Sequence, residues 1–325
     1  MQDMKQISAR TELLLRVAWE YHVNHRTERA IARMYGVSPA SVSRLLASAR
    51  RQGYVRVSVA LPEGVCLELE DRLCQAFDLA FAYVVPQADH EAAQFEALGR
   101  AAAFFLSRHA HDWPTIAVGW GRTVSHIPRH IPADIRLPDS KAEAEVVEMV
   151  GAFSTTSSPL RLLRVVDGLA ERLRRTAKAL PAPAVAPDVE TRDALLRHEP
   201  ILDVLRHARQ ADLAIVSLGT ANSHSTLYQL GLLTENDLGL LRAQGAAGEI
   251  LGRFFDGSGA PLPSPFHDRL IGLTLEDLRA LPRVLIVAGG EGKREALLAA
   301  LRSRLATHLV TDDDTARWVL EHRDT

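Results

Sequence analysis

Residues 27–51, TERAIARMYGVSPASVSRLLASARR, predict two helices joined by a tight turn. Ile31 and Met34 are expected to face inward on the first helix. Gly36 suits the turn, because a residue without a Cβ adopts the left-handed backbone conformation at little cost. Ser38 is a favourable N-cap for the second helix. This spacing is typical of a helix-turn-helix, whose second helix usually lies in the major groove of DNA.

The second helix of this motif has an apolar and a polar face. Its apolar residues Val42, Leu45, Leu46 and Ala49 recur at helical spacing and are expected to bury one side. Its first turn contains a proline, which is well tolerated there. The opposite side is polar and runs on into two consecutive arginines. The candidate DNA-binding residues are Thr27, Ser38, Pro39, Ser41, Val42, Ser43, Arg44, Arg50 and Arg51.

Charge is distributed unevenly along the chain. Residues 1–61 contain ten basic and four acidic side chains, whereas the remaining residues contain 28 basic and 36 acidic ones. A basic N-terminal segment on an acidic body fits DNA binding by that segment alone. Small domains also vary by several charges without any function attached. The asymmetry gains weight because it coincides with the helix-turn-helix.

Composition places the chain among ordinary globular proteins. It has 325 residues, enough for roughly two or three domains, with 47% hydrophobic and 24% charged residues. No apolar run approaches the roughly 18 residues of a membrane-spanning helix. The first ten residues also lack a signal-peptide core, so a cytoplasmic location is expected. Cys66 and Cys74 indicate no disulfide framework and are expected to be small buried side chains.

Two segments flank the motif and complete an N-terminal domain. Ile7–Val23 predicts a first helix with apolar residues on one side. Tyr54–Leu61, YVRVSVAL, alternates apolar and polar residues and predicts a short strand, which would form a wing or begin a linker. Pro62 and Gly64 then mark a boundary. We expect a winged helix-turn-helix domain over residues 1–61 and a second domain over residues 62–325.

Beyond this boundary, strand-like runs alternate with helical runs, and several strands run into glycines. The predicted strands are Ala82–Pro86, Thr115–Val118, Val146–Val150, Leu213–Leu218, Val284–Ala288 and His308–Thr311. The predicted helices are Leu67–Phe77, Glu91–His109, Leu160–Leu180, Arg294–Leu305 and Thr315–His322. This alternation predicts a Rossmann-like α/β fold, a parallel sheet covered by helices. Ligands of such sheets bind at the carboxyl ends of the strands.

A glycine-containing loop, Gly119–Thr123, follows one of these strands. Glycine amides that approach a ligand closely can hold a phosphate, and Arg122 and Thr123 would add a charge and a hydroxyl. The loop is not the dinucleotide-binding fingerprint, because Val124 stands where the third glycine should be. A tight turn that requires glycine explains the loop more simply. On its own it leaves both interpretations open.

A second glycine-rich loop, GGEGK at residues 289–293, follows another predicted strand. It is not a phosphate-binding P-loop, because Val287 stands in place of the first glycine and Arg294 in place of the magnesium-binding hydroxyl. Lys293 is one of only four lysines among 38 basic residues. Its position beside a strand end suggests that a compact charge or an amine is needed there. The alternative is a solvated lysine at a helix start.

Two carboxylates lie near glycines in residues 248–259, GEILGRFFDGSG. Glu249 and Asp256 could hydrogen-bond to sugar hydroxyls or perform acid–base chemistry. A loop rich in glycine and aspartate is as often only a turn. The histidines do not cluster at metal-ligand spacing, and no nucleophile elbow appears. We therefore expect neither a metal nor a cofactor.

Six segments occur in the order that they have in one known family. They are VSRLLASARRQGYVRV (42–57), VGWGRT (118–123), SLGT (217–220), GAAGEILGRFFDGSG (245–259), VLIVAGGEGKREALLAAL (284–301) and HLVTDDDTA (308–316). By these segments the chain resembles, over nearly its whole length, the SorC family of bacterial sugar-responsive transcription regulators. The resemblance implies an effector domain similar to the sugar-phosphate isomerase and CoA-transferase fold. One departure is Pro39, where many members have arginine.

The resemblance also implies a ligand and an assembly. Family members usually act as homotetramers, often repressors, that release or rearrange on DNA when a phosphorylated sugar binds. The Gly119–Thr123 loop would hold the phosphate of the effector, and further residues would line the rest of the pocket. The candidate effector-binding residues are Gly119, Gly121, Arg122, Thr123, Gly151, Glu249, Asp256 and Lys293.

We therefore predict a DNA-binding repressor of a carbohydrate catabolic operon. Its expected partners are a double-stranded DNA operator, a phosphorylated sugar or polyol, and further copies of itself through the effector and oligomerisation domain at 62–325. A sugar-phosphate isomerase-like enzyme is an alternative, with Glu249, Asp256 and Lys293 as proton carriers, but it leaves the helix-turn-helix unexplained. A structural DNA binder with an inactive pocket is the third possibility.

Overall fold

The computed structural model of the chain describes residues 9–55, 65–133, 144–152 and 165–324. The chain divides into two compact units, Met1–Pro62 and Glu63–Thr325. Over these described ranges, no helix combines the length and the apolar character needed to cross a membrane.

The first unit contains three consecutive helices in its described part. They are α1 (Ala9–His22), α2 (Glu28–Tyr35) and α3 (Pro39–Arg51). The Thr27 side chain caps α2 by accepting the N–H of Ala30, and Ser38 caps α3 by accepting the N–H of Ser41. Gly36 ends α2 in the left-handed conformation, with φ at 64°. The helix-turn-helix predicted from the sequence is thus confirmed.

The three helices bury one small apolar core. Leu14 and Val17 of α1 pack in it with residues of α2 and α3. The expected inward position of Met34 is wrong, because α2 buries Ile31 and Ala32 and leaves the Met34 side chain 45% exposed. The predicted strand Tyr54–Leu61 lies mostly on residues outside the described ranges, as does the start of the predicted helix Ile7–Val23.

The second unit is built on strands. They are β1 (Phe81–Val85), β2 (Thr115–Val118), β3 (Glu145–Glu148), β4 (Thr176–Lys178), β5 (Leu213–Val216), β6 (Ala246–Ile250), β7 (Arg253–Asp256), β8 (Val284–Val287) and β9 (His308–Asp312). Within the described residues, seven of them form a parallel sheet in the order β1-β9-β8-β5-β2-β3-β4. Strands β6 and β7 pair separately as an antiparallel hairpin.

Helices cover both faces of the sheet. They are α4 (Leu67–Phe77), α5 (Glu91–His109), α6 (Ile127–His130), α7 (Val165–Leu173), α8 (Val189–Leu195), α9 (Glu199–Arg209), α10 (Thr226–Gln229), α11 (Glu235–Ala243), α12 (Leu275–Ala280), α13 (Arg294–Arg302) and α14 (Asp313–Glu321). Every residue of β5 and β8 is buried. Alternate residues of β5 enter different apolar clusters, Leu213 in one and Ala214 in the other. Uninterrupted apolar strands of this kind are typical of a parallel sheet covered on both sides.

The sequence predicted most of these elements and misassigned one. The predicted helix Leu160–Leu180 is wrong at its C-terminal end, because α7 stops at Leu173 and Arg174 turns the chain with φ at 53°. Residues 176–178 then form β4, which pairs with β3, so sheet pairing outweighs local helix propensity. Residues 160–164 lie outside the described ranges. The β6–β7 hairpin and helices α8 to α12 were not predicted.

The topology brings three loops to the same place. Strands β8, β5 and β2 are neighbours and run parallel, so the loops that follow them leave the sheet at one edge. These loops contain residues 289–293, 217–222 and 119–123. A ligand site is expected at the carboxyl ends of such strands.

Candidate functional site

A pocket lies at the carboxyl edge of the sheet, where these three loops meet the β6–β7 turn and the N-terminal part of α5. It brings together five of the predicted effector residues, which are Gly121, Arg122, Thr123, Glu249 and Lys293. We call it the inner pocket. Residues far apart in sequence thus converge, as expected for the crossover connections of a parallel sheet.

A wider cavity of about 500 Å³ opens beside the inner pocket. The two share Phe95, Arg122 and Lys293, so these three side chains lie between them. We call the wider space the outer cavity. Its wall includes Glu91 and Gln94 of α5. Together the two spaces offer charged, amide and aromatic groups to a polar ligand.

Two glycines shape the inner pocket by admitting neighbouring side chains. A Cβ on Gly219 would lie 1.7 Å from Oε1 of Glu249, and a Cβ on Gly119 would lie 2.6 Å from Cδ2 of Leu251. The N–H of Gly119 is already used, because it donates to the carbonyl of Ile215 at 2.9 Å. The proposed phosphate contact from the Gly119 amide is therefore wrong. This glycine lets the hairpin pack against the loop.

Glu249 is a buried acid at the base of the inner pocket. Its side chain is enclosed by the β6–β7 turn, and the residue is 5% exposed. Oε2 accepts the N–H of Gly252 at 2.7 Å. Burial raises the pKa of Glu249 to about 7, and the positive charge of Lys293 partly opposes that rise. The carboxyl therefore exchanges a proton near neutral pH and can either donate or accept a hydrogen bond.

Lys293 is a half-buried base in the wall of both spaces. Burial lowers the pKa of its ammonium to about 8, while Glu249 opposes that shift. Among the described residues, no carboxylate lies within 4.0 Å of its Nζ. Its charge is thus available to a ligand.

Arg122 and Thr123 also line the inner pocket. Nη1 of Arg122 lies 3.1 Å from Oε1 of Glu91, and its guanidinium lies over the ring of Phe95 at 5.0 Å from the centroid. Stacking on an aromatic ring holds the guanidinium in place. Thr123 is buried and precedes the short helical turn 124–126. These two residues can supply a fixed cation and a hydroxyl.

Besides Gly119, two predicted effector residues, Gly151 and Asp256, line neither space of this site. The Asp256 carboxylate accepts the N–H and O–H of Ser258 and the N–H of Ala260, so it closes the turn after β7. These bonds lower its pKa. A Cβ on Gly151 would lie 2.4 Å from the carbonyl oxygen of Pro183, so close backbone packing accounts for this glycine. Neither residue lines the inner pocket or the outer cavity.

The sequence interpretation missed several residues of the site. Ser217 and Gly219 line the inner pocket, and Thr220 and Asn222 line the outer cavity. The sequence did contain a signal for these residues. The segment SLGT (217–220) follows β5 just as the loops 119–123 and 289–293 follow β2 and β8. The contribution of α5 gave no such signal, because it depends on tertiary packing. No cluster of metal-ligating side chains occurs in the described ranges.

The candidate DNA-contacting face of the first unit is the exposed side of α3. Ser43, Arg44, Arg50 and Arg51 are exposed, and the Arg44 guanidinium donates to Oγ of Ser41 at 3.2 Å. A groove of about 630 Å³ is lined by Arg44 and Arg51 together with Arg10, Ser48 and Gln52. Arginines with serine and glutamine side chains suit phosphate and base-edge contacts.

The other predicted DNA-binding residues have structural positions. Val42 is wrong as a DNA contact, because its side chain is completely buried in the core of the unit. Thr27 and Ser38 use their hydroxyls as helix caps. Pro39 is exposed as the first residue of α3. The exposed arginines are therefore the main candidates for DNA contact.

Comparisons with known proteins agree with both units. The family model described as "Putative sugar-binding domain" matches residues 63–321. The transcriptional regulator LsrR of Enterobacter sp. (strain 638) is 32% identical, over 95% of this chain and 93% of that protein. The erythritol catabolism regulatory protein EryD of Brucella abortus is 30% identical, over 94% and 95% respectively.

Solved structures extend the similarity to the fold. The full-length sorbitol operon regulator SorC from Klebsiella pneumoniae is 26% identical, with a TM-score of 0.71 over 95% of this chain and 98% of that one. The helix-turn-helix, the pocket at the sheet edge and these similarities show that the chain belongs to the SorC family of sugar-binding transcriptional regulators.

Proposed function

We propose that this chain is a DNA-binding repressor of a carbohydrate catabolic operon and that a phosphorylated sugar or polyol controls it. The observation that carries the proposal is the outer cavity of about 500 Å³ together with the smaller inner pocket that adjoins it. Lys293 lines both spaces, Glu249 lines the inner pocket, and no carboxylate of the described residues lies within 4.0 Å of the Lys293 Nζ. A phosphate needs cations, and sugar hydroxyls need groups that donate and accept. Arg122, Thr123, Lys293 and Glu249 supply this combination.

DNA binding is assigned to α3. Arg44 with Ser41 and Ser43 would contact base edges or phosphates, and Arg50 with Arg51 would contact phosphates. Binding is expected to weaken as salt rises, because phosphate contacts release counterions. The effector must bind two conformations of the protein unequally, since a ligand without that preference shifts no equilibrium. A homotetramer would present several such helices to one operator.

The test combines two assays on the full chain. A panel of phosphorylated sugars and polyols is scored by the change in melting temperature, and each one that binds is added to a gel shift with DNA from upstream of the chain's own gene. We expect at least one compound to raise the melting temperature and to change DNA binding. Sedimentation of the same samples measures the oligomeric state. Stabilisation by a ligand that leaves DNA binding unchanged would contradict the proposed control.

The enzyme alternative has less support. Of the three residues suggested as proton carriers, Asp256 is used in a turn and lies away from the inner pocket. The relatives described above are named as regulators. A sugar-phosphate isomerase assay on the purified chain tests this alternative directly, and we expect no turnover.

A further inference from the structure

Glu91 stands at Arg122 in the place that an anionic ligand would take. We propose that Glu91 is a competing residue, which occupies the Arg122 guanidinium until a ligand arrives, lowers the affinity of the site for anions, and yields Arg122 only to a strongly charged group. This inference rests on the proposed function, because it concerns the same pocket. It adds a residue that the sequence interpretation did not identify.

The geometry makes Glu91 easy to displace and Arg122 hard to move. The side chain of Glu91 is 65% exposed, whereas that of Arg122 is 28% exposed and stacks on Phe95. Exposed ion pairs contribute little, because water solvates both partners well. A phosphate carries more charge than a carboxylate and can accept two parallel N–H bonds from one guanidinium. It can therefore replace Glu91, whereas a neutral sugar gains too little from Arg122 to do so.

The charges around the cavity also support competition between Glu91 and an anionic ligand. Glu91 raises the pKa of Lys293 and Arg122 lowers it, so the charges of all three side chains interact across the shared wall. While Glu91 holds Arg122, its negative charge also opposes an anion that approaches Lys293. When Glu91 moves away, two cations face the ligand. The Glu91 carboxylate thus reduces the affinity of the site for every anion. An anion with a high charge, such as phosphate, can still bind.

A neighbouring side chain on α5 supports ligand binding at this wall. Gln94 lines the outer cavity and is 4% exposed. Its Oε1 accepts the N–H of Ala88 at 2.7 Å, which fixes the amide, while its Nε2 has no acceptor. A buried donor without an acceptor is costly. Gln94 lies on the same helix as Glu91 and lines the same cavity as Arg122, so its unpaired amide nitrogen adds to the polar groups of this wall.

The experiment measures the affinity of the full chain for inorganic phosphate by calorimetry at low ionic strength. The variants are Glu91→Gln and Glu91→Ala, and the matched control is Glu199→Gln. Glu199 is also exposed and also pairs with an arginine, Arg206 at 3.0 Å, but it lies on α9 and does not line either space. We expect both Glu91 variants to bind phosphate about two- to fivefold more tightly, and the control to match the wild type.

The outcomes separate this inference from the proposed function. Equal or weaker phosphate binding by both Glu91 variants would overturn the inference, as would the absence of phosphate binding in every protein. Circular dichroism checks that the variants fold, which the exposure of Glu91 favours. If both variants bind phosphate more tightly while no sugar phosphate affects DNA binding, the competing role of Glu91 stands and the proposed control of DNA binding fails.

Discussion

Replacing Glu249 by glutamine removes a buried titration from the second unit. In the folded chain the pKa of this carboxyl is raised by burial from 4.5 to about 7. Between those pH values the folded chain keeps a proton that the unfolded chain has lost. The stability linked to this proton is therefore complete below pH 4.5 and is lost as pH rises to about 7. Glutamine has nearly the same shape and does not titrate, so its stability lacks this dependence.

The size of the effect follows from the two pKa values. Each pKa unit corresponds to about 1.4 kcal/mol, so the interval from 4.5 to about 7 corresponds to about 3 kcal/mol. Solvent screening reduces this free energy only slightly, because Glu249 is 5% exposed. His267 and His308, whose pKa values burial lowers to about 4, titrate equally in both proteins and cancel in the difference. Stopping at pH 7 avoids most of the titration of Lys293, whose pKa is lowered to about 8.

Urea unfolding at several pH values between 4.5 and 7 provides the measurement. We expect Glu249→Gln and the wild type to have similar free energies of unfolding at pH 4.5, and the variant to be more stable by about 3 kcal/mol at pH 7. Asp256→Asn is the control, because the pKa of Asp256 is lowered and its ionisation is nearly complete across this range. Its effect should hardly change with pH. A flat difference for Glu249→Gln would refute the assignment of a buried, neutral acid.

Three further predictions concern other parts of the chain. Arg44→Ala should weaken operator binding about tenfold or more with an unchanged melting temperature, and equal gel-shift affinity would count against α3 as the DNA-contacting helix. Gly219→Ala should destabilise the second unit by about 1–3 kcal/mol, because its Cβ would lie 1.7 Å from Oε1 of Glu249, and wild-type stability in urea would disprove this packing. Lys293→Ala should keep the affinity for DNA and lose most of the effector response in a gel shift, so a normal response would exclude Lys293 from the site.

Local sequence signals predicted the first unit well because its elements are fixed by local bonds. The cap at Ser38 and the left-handed Gly36 both act within a few residues of the turn that they define. Burial was harder to predict for α2, where Met34 was expected to face inward but is 45% exposed. Helical spacing placed Val42 on the apolar face of α3, and its complete burial against α1 and α2 confirms that face and excludes Val42 as a DNA contact. Helical spacing places a residue on a face but does not say how wide that face is.

The second unit shows where sequence patterns stop being informative. Apolar strands that end at glycines predicted the central strands and the edge at which the pocket lies. The β6–β7 hairpin was not predicted, because GEILGRFFD mixes glycine and charge with apolar residues and resembles a turn. That hairpin nonetheless supplies Glu249. Asp256, seven residues later, carries the same kind of side chain but is used in the turn after β7.

The glycines of this pocket illustrate why loop composition alone cannot assign a ligand. Gly119 belongs to the loop interpreted as phosphate-binding, and Gly219 follows β5 in a similar loop. The space above each is filled by a side chain of the hairpin, Leu251 in one case and the carboxyl of Glu249 in the other. A glycine shows only that something approaches closely. Here the close neighbour is a titratable acid, which brings Glu249 beside Lys293 in one pocket. The binding chemistry therefore comes from what the glycines admit, and substitution at Gly219 should disturb ligand binding through Glu249.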